Sequence, residues 1–542
     1  MARRAVDILF SPLWALLLCC ACLSALAATP ADTIVYAFPS NVGPLNPHQY
    51  SPNQMFAQEM VYEGLVALGE NGRIVPALAE RWEISDDGLA YRFHLRRNVR
   101  FSDGEAFDAE AVVRNFAAIM ENARRHEWLP LTGKIADFRA EEPHVFVLRL
   151  NAPYYPALDD LALPRPFRML SPAAFLEDGS TRNGIRKAVG TGPWKLSRTV
   201  LGEYDLFERN DLYWGVPPKV AKVLVRVIPD PLSRAVALET GEIDLVYGMG
   251  QVSYDTFSMF QRHPAYDTAI SPPLGGLVLA VNSGAGPTGE PAVRQALQFA
   301  VDKAAIIQGV LLDTQTRAET LFSPQVPYCD VGLEAYPFDP VRAAALLDEA
   351  GWRLPGKGRF RMKEGRELRI DYCYVGNDAV QKSIGEVLQA QFARVGIRLN
   401  LLGEEEDSFL RRQKDGSFGL IVNNTWGPPF EPHAMVGSMR QPSHADYMAQ
   451  AGLPMKAGLD RKISEVLATA NPDQRQALYA EILTTLHEEA VYLPIFFFSN
   501  LAAYKKGTLG NVGFAPGRTR IPFEVFTKPQ ALRHCPSSKT PC

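Results

Sequence analysis

Ser271-Pro272-Pro273-Leu274-Gly275-Gly276 and, far downstream, Pro494-Ile495-Phe496-Phe497-Phe498-Ser499-Asn500 decide how this chain is organised. Both stretches break a regular alternation of short β-rich runs and amphipathic helices. The polypeptide after the second returns to the part of the molecule begun before the first. A chain that leaves one lobe, builds another and comes back makes two crossings, and two lobes joined by two crossings form a hinge. The expected class is therefore α/β, in two lobes.

Working outward from the crossings, the first half opens with a strand over Ile34 to Phe38 and a loop rich in Pro and Gly from Pro39 to Pro52. Alternation in Tyr91 to Leu95 and in Val145 to Leu150 predicts half-buried strands. Asp108 caps a helix whose Val112, Phe116 and Ile119 share one face. A helix over Ser233 to Thr240 ends at Gly241 and runs into a strand over Ile243 to Tyr247. In the second half the pattern predicts a strand over Leu277 to Asn282, helices over Pro291 to Ile307, Pro340 to Ala350 and Gln381 to Val395, and strands over Leu368 to Tyr374 and Ile397 to Leu402. The expected division is 28–274 for the first lobe, with an inserted subdomain over about 70–190, then 275–497 for the second lobe, 498–528 as the return segment and 529–542 as a polar tail.

The amino terminus reads as an export signal over 1–27. Arg3 and Arg4 form a basic start, Trp14 to Leu23 an apolar run, and Ala25-Leu26-Ala27 a small-residue cleavage site. The apolar run is shorter than the ~20 residues a spanning helix needs. A soluble, exported, periplasmic protein is expected, against a lipoprotein alternative on Cys19, Cys20 or Cys22. The 542 residues, 47% hydrophobic and 21% charged, suffice for two or three domains. A formal net charge of -4 and the lack of any basic run with interleaved aromatics argue against nucleic acid. Cys329, Cys373, Cys535 and Cys542 follow the signal; the last two are near enough in sequence to pair.

Catalytic motifs are missing from the sequence. There is no Gly-x-Ser-x-Gly elbow, no His-Glu-x-x-His and no Cys with a plausible His partner, so an enzyme is not expected. Gly284-Ala285-Gly286-Pro287-Thr288-Gly289 matches a dinucleotide fingerprint, but Pro287 constrains the turn and the unit lies deep inside the chain, which favours an ordinary strand-to-helix loop. Glu404-Glu405-Glu406-Asp407 reads as a solvated charge run. His433 and His444 are separated by Pro442, and the nine histidines offer no three-nitrogen site. A transition metal handled by this chain would need most of its ligands from elsewhere. A small organic chelator would supply them, and its carboxylates would call for arginine forks and its flat faces for aromatic walls.

Four strings carry a resemblance: Gly190-Thr191-Gly192-Pro193-Trp194, Asn210 to Trp214, Gly241-Glu242-Ile243-Asp244, and Val293 to Leu297 through Ala300-Val301-Asp302-Lys303. They resemble the family 5 solute-binding proteins of ABC importers, which include dipeptide, oligopeptide and nickel binders. Asn41 to His48, Pro52 to Phe56, Ala162 to Arg168 and Pro442 to Asp446 are similar to the nickel-binding branch, over nearly the whole chain up to about Lys528. The resemblance implies a type II, cluster C periplasmic binding fold with an extra subdomain and the two-crossing hinge. It implies that Ni2+ is bound as transported ligand within an organic chelator, histidine being the natural candidate, and that the complex is delivered by a monomer to ABC permease subunits, with no reaction catalysed.

It implies also a set of site residues. His444 corresponds to the one side chain ligating the metal, Arg125 and Arg165 to arginines facing the chelator's carboxylates, and Tyr50, Met55, Trp128, Trp426 and Thr519 to residues lining the cavity. Phe430 takes the place of a tyrosine in the nickel binders, which removes a hydroxyl and makes the cavity more apolar. Each residue has a plainer reading as well: His444 as a capping group, Arg165 as half of an ion pair, Arg125 as a solvated member of Arg124-Arg125-His126, and Met55 and the tryptophans as packing. Two alternatives of function stay open at this point, a peptide or other metallophore binder on the same fold, cobalt complexes included, and an exported metal-dependent hydrolase.

Overall fold

In the computed structural model, which describes residues 32–49 and 54–529, two sheets carry the two lobes. The first has seven strands in the order Tyr266–Ile270, Leu501–Lys505, Leu245–Tyr247, Thr33–Phe38, Lys222–Val227, Tyr204–Arg209 and Trp194–Val200. Thr33–Phe38 lies at its centre, parallel to both neighbours. The second has six strands in the order Thr316–Arg317, Tyr492–Phe498, Gly275–Val281, Leu420–Asn424, Arg369–Val375 and Arg398–Glu404. Gly275–Val281 and Tyr492–Phe498 are buried at every position. Such continuous burial requires both faces of the strand to be covered, and it explains their unbroken apolar composition.

The chain passes between the sheets twice, over 271–274 and over 499–500. The two crossings are tied to each other: Ser271 N donates to Asn500 O at 3.0 Å, Asn500 N to Ser271 Oγ at 2.9 Å, and Leu274 N to Phe498 O at 2.9 Å. Both are narrower than the sequence implies. Gly275 and Gly276 already belong to a strand, and the strand Tyr492–Phe498 runs straight through Pro494. A register shift between Leu277 and Val278 absorbs that proline, whose nitrogen has no proton to give the ladder. A side chain at Gly275 would sit 2.8 Å from the Phe498 ring, so the crossings approach this closely only because the position is glycine.

A third, antiparallel sheet of four strands, Ala79–Ile84, Ala90–Leu95, Val145–Leu150 and Ile135–Glu142, forms the extra subdomain. The helix Ala109–Glu121 packs on it, started by Asp108, whose carboxylate accepts from Ala111 N. The helix expected over Pro291 to Ile307 is instead two, Pro291–Phe299 and Lys303–Gly309. Asp302 turns its carboxylate to Ala305 N at 3.1 Å and starts the second helix anew, a local competition that helical periodicity cannot reveal. The loop 284–289 is covered by the turn at Gly452, which donates to Ser283 Oγ at 3.0 Å. Cys329 and Cys373 are free and buried, and burial pushes the Cys373 thiol up to about 12. The export signal, Tyr50, Cys535 and Cys542 lie outside the described residues.

The family-like strings prove to be architecture. Glu63 accepts from Trp214 Nε1 at 2.8 Å and from the Thr191 hydroxyl at 2.9 Å, and Asn210 Nδ2 donates to Gly192 O at 2.9 Å. Asp244 receives Val35 N and the Lys528 ammonium, fastening the end of the return segment to the central strand. Arg294 bonds Glu489 through both its side chain and backbone oxygens.

Candidate functional site

Beside the crossings, between the lobes, lies a cavity of about 890 Å³. One wall starts from the helix Met55–Val61, which presents Met55 and Glu59. The loop before that helix is anchored from behind. Asn46 Nδ2 donates to Thr181 O at 2.7 Å, and the His48 ring lies 3.1 Å from Thr181 Oγ1 and 3.0 Å from Asn115 Oδ1. His126 Nε2 reaches His48 O at 2.9 Å, and two residues on, Trp128 joins the wall.

Burial holds the His48 imidazole down at about 4, against an ordinary value near 6.5. The unfolded chain therefore binds an extra proton between those two values. The stabilisation from a neutral His48 is complete above the unfolded value and is lost as pH falls toward the folded one, roughly 3 kcal/mol in all. Urea unfolding at pH 7 and pH 4.5 should show that loss in the wild type and a smaller one in His48→Gln. Equal losses in both would assign the acid sensitivity elsewhere.

The opposite wall comes from the second lobe. Thr425 is locked to the first crossing through Gly276, whose N–H it receives at 2.7 Å. Gly427 then lies against Leu274; its φ is 75°, and a Cβ there would be 1.9 Å from Leu274 O. This contact throws Trp426 and Phe430 into the cavity. The Phe430 ring lies 6.2 Å from Trp128 across the cleft and 6.3 Å from Trp426, and Trp426 in turn lies 6.4 Å from His444. Phe430 thus bridges the aromatic groups of the two lobes.

His444 precedes the helix Ala445–Gln450, its side chain half-buried in the cavity wall. Among the described residues neither of its ring nitrogens has a hydrogen-bond partner, whereas the rings of His48, His126, His433 and His487 are all engaged. Next to it, Asp446 accepts from Asn423 Nδ2 at 2.8 Å and from the Tyr492 hydroxyl at 2.9 Å, and burial pushes its carboxyl up. Among the described residues no cluster of three or more His, Cys, Asp or Glu could hold a metal. Among the described residues the cavity offers a single imidazole, that of His444.

Four arginines, Arg165, Arg168, Arg518 and Arg520, and two glutamates, Glu59 and Glu63, also line the cavity. Glu63 is deep in the wall, and burial pushes its carboxyl up, which weakens the negative side further. Glu59 accepts the Thr519 hydroxyl at 2.6 Å and lies 3.8 Å from Arg168. The balance is cationic and favours an anionic occupant.

Of the residues expected at the site, Met55, Trp128, Arg165, Trp426, Phe430, His444 and Thr519 line this one cavity. Arg125 does not. It is exposed on the short turn Ala123–His126, where the neighbouring His126 points inward to His48; successive side chains on such a turn diverge by about a third of a circle, which leaves Arg125 in solvent. Sequence reasoning passed over Arg168, Arg518, Arg520, Glu59 and Glu63. The signal for Arg518 and Arg520 was their place on either side of Thr519, and for Arg168 its place three residues after Arg165.

Residues 73–447 match the model of the bacterial extracellular solute-binding proteins, family 5, middle region. The chain is 50% identical over 509 residues to the nickel-binding periplasmic protein of Escherichia coli K12, covering 94% of this chain and 97% of that one. The structure of NikA from Brucella suis, in complex with Fe(III)-EDTA, is similar with a TM-score of 0.90 at 50% identity, covering 92% of this chain and 100% of the other. NikZ from Campylobacter jejuni, solved with Ni(L-His), shares the fold at a TM-score of 0.75 and 22% identity, with coverage of 92% and 100%.

Proposed function

Given that this chain belongs to the bacterial extracellular solute-binding proteins of family 5, we propose that it captures nickel already wrapped in a small anionic chelator and hands the complex to a membrane permease. It is a binding protein and not an enzyme. The observation that carries the ligand assignment is the pairing of one imidazole, His444, whose ring nitrogens have no hydrogen-bond partner among the described residues, with an excess of arginine in the same cavity.

Nickel takes imidazole nitrogen readily, and guanidinium forks suit the carboxylates of its cage. In this reading His444 ligates the metal and Arg165 faces a carboxylate. Trp128, Trp426 and Phe430 supply flat walls, while Met55 and Thr519 complete the lining. Arg125 is outside the set. Histidine fits as the chelator because its amine, imidazole and carboxylate fill most of a nickel shell. Micromolar capture requires about 8 kcal/mol, within reach of one metal bond and a few desolvated arginine contacts.

Titrating the protein with nickel alone and with nickel plus histidine, followed through Trp128 and Trp426 fluorescence, tests the reading. Binding that requires histidine supports it; stoichiometric peptide binding indifferent to nickel would replace it with the peptide-binder alternative. A narrower expectation concerns Phe430. Restoring a hydroxyl by Phe430→Tyr should tighten binding of the nickel–histidine complex by roughly two- to tenfold, the worth of one hydrogen bond, as read from the dissociation constant in the same titration. A weaker or unchanged constant would mean that no chelator oxygen lies near that ring edge.

A further inference from the structure

One guanidinium in the cavity wall, that of Arg518, gives no hydrogen bond to any described residue. Arg168 gives its Nε–H to Leu163 O at 2.9 Å and an Nη2–H to Ala162 O at 3.1 Å, and Arg520 gives an Nη2–H to Glu524 at 2.5 Å. Arg518 is different. Its guanidinium carbon lies 4.7 Å above the Phe498 ring, and among the described residues none of its side-chain N–H groups has a hydrogen-bond partner. Arginine cannot shed its charge, and its rigid fork matches a carboxylate.

Among the described residues that charge is only partly compensated. Burial opposes the Arg518 cation, and the opposite charge acting on it is that of Glu431. Glu431 is itself buried, its Oε1 has no hydrogen-bond partner among the described residues, and burial pushes its carboxyl up to about 7, so near neutral pH it is only partly ionised. Arg518 is also built onto the hinge. Its carbonyl accepts from Asn500 Nδ2 at 3.2 Å, while Phe498, on which it stacks, is the last residue before the second crossing. Asn500 Oδ1 receives Met249 N at 3.1 Å, so the same knot holds the first lobe.

We propose that Arg518 is a further specificity-determining residue, clamping a carboxylate of the bound chelate from the return segment at the hinge. The inference rests on the function proposed above and deepens it: the cargo must carry a carboxylate placed toward the crossings. Dissociation constants for nickel with L-histidine, and for nickel with L-histidinamide, which lacks the carboxylate, test it on the wild type, Arg518→Gln and Arg518→Lys. Arg518→Gln should bind the histidine complex about 10- to 100-fold more weakly and the histidinamide complex no more weakly than the wild type does. Arg518→Lys should recover part of the loss, and the melting temperature without ligand should be unchanged. Wild-type affinity in Arg518→Gln, or an equal loss toward both complexes, would overturn the assignment. If the wild type bound no nickel–histidine complex in the same titration, the proposed function would fail and take this inference with it.

Discussion

Replacing His444 with alanine is expected to abolish nickel capture while leaving the protein folded. The two halves of that expectation have separate physical grounds. The imidazole is half-buried and bonded to no described residue, and its helix receives no side-chain cap from it, so its removal costs the fold little. For the cargo, the imidazole would be the one protein donor in the metal's shell. Outer-shell partners of metal ligands are worth 10- to 100-fold in affinity, so a ligand itself should be worth at least about 100-fold. In practice the wild type, passed through a desalting column after incubation with nickel and histidine, should retain about one nickel and melt at a higher temperature, since ligand bound only to the native state stabilises it. His444→Ala should retain none and show no shift. A variant retaining nickel at wild-type stoichiometry would move the metal away from His444.

The second large effect lies where the two lobes touch. Asp160 and His433 form a buried pair at 3.1 Å, 0% and 3% exposed, joining the helix Ala157–Ala162 to the helix His433–Ser438 of the second lobe. The Tyr154 hydroxyl donates to the other Asp160 oxygen at 2.9 Å, and the hydroxyls of Tyr155 and Tyr479 meet at 2.6 Å beside it. Removing one partner strands a charge out of water, which costs about 3 to 5 kcal/mol. Asp160→Ala should lower the unfolding free energy by that amount in urea at pH 6; a loss under ~1 kcal/mol would mean the pair is not formed in solution.

The pH dependence of this contact has a definite sign. Burial alone would pull the His433 imidazole down, but the carboxylates of Asp160 and Asp159 outweigh it and hold the value above the usual one. A histidine raised in the folded state stabilises fully below its unfolded value, and that contribution disappears as pH rises through the folded value. Asp159 acts in the same direction but at lower pH, since burial pushes its carboxyl up to about 6 and its contribution is already lost as pH rises through that value. The wild type's advantage over Asp160→Ala should therefore be larger at pH 6 than at pH 8. It opposes the His48 effect, which destabilises on acidification, so the two are separable only by variant.

Much of this organisation was legible in the sequence because it rests on local rules. Asp108 before an apolar helical face, and the proline and glycine cluster at Ser271 to Gly276, each point to one structural outcome. Strings shared with a family pointed to a set of candidate residues, and seven of them line one cavity. What local rules could not supply was which way a side chain turns. Arg125 and His126 are neighbours, yet the inward one is settled by the His48 carbonyl far away in sequence. Arg518 acquires its role from Phe498, Asn500 and Glu431, which meet only when the crossings form. The helix break at Asp302 was hidden for a related reason, because a capping carboxylate and a helical one look alike until a backbone N–H is seen to be taken.

In the proposed function the cavity recognises an anionic cage around a cation and lends the ion a single imidazole. Native mass spectrometry of the protein mixed with nickel, with and without histidine, measures this most directly because it weighs what is held. The expected result is an adduct whose mass is nickel plus chelator, formed only when histidine is present. An adduct of nickel alone, equally abundant in histidine-free buffer, would contradict it.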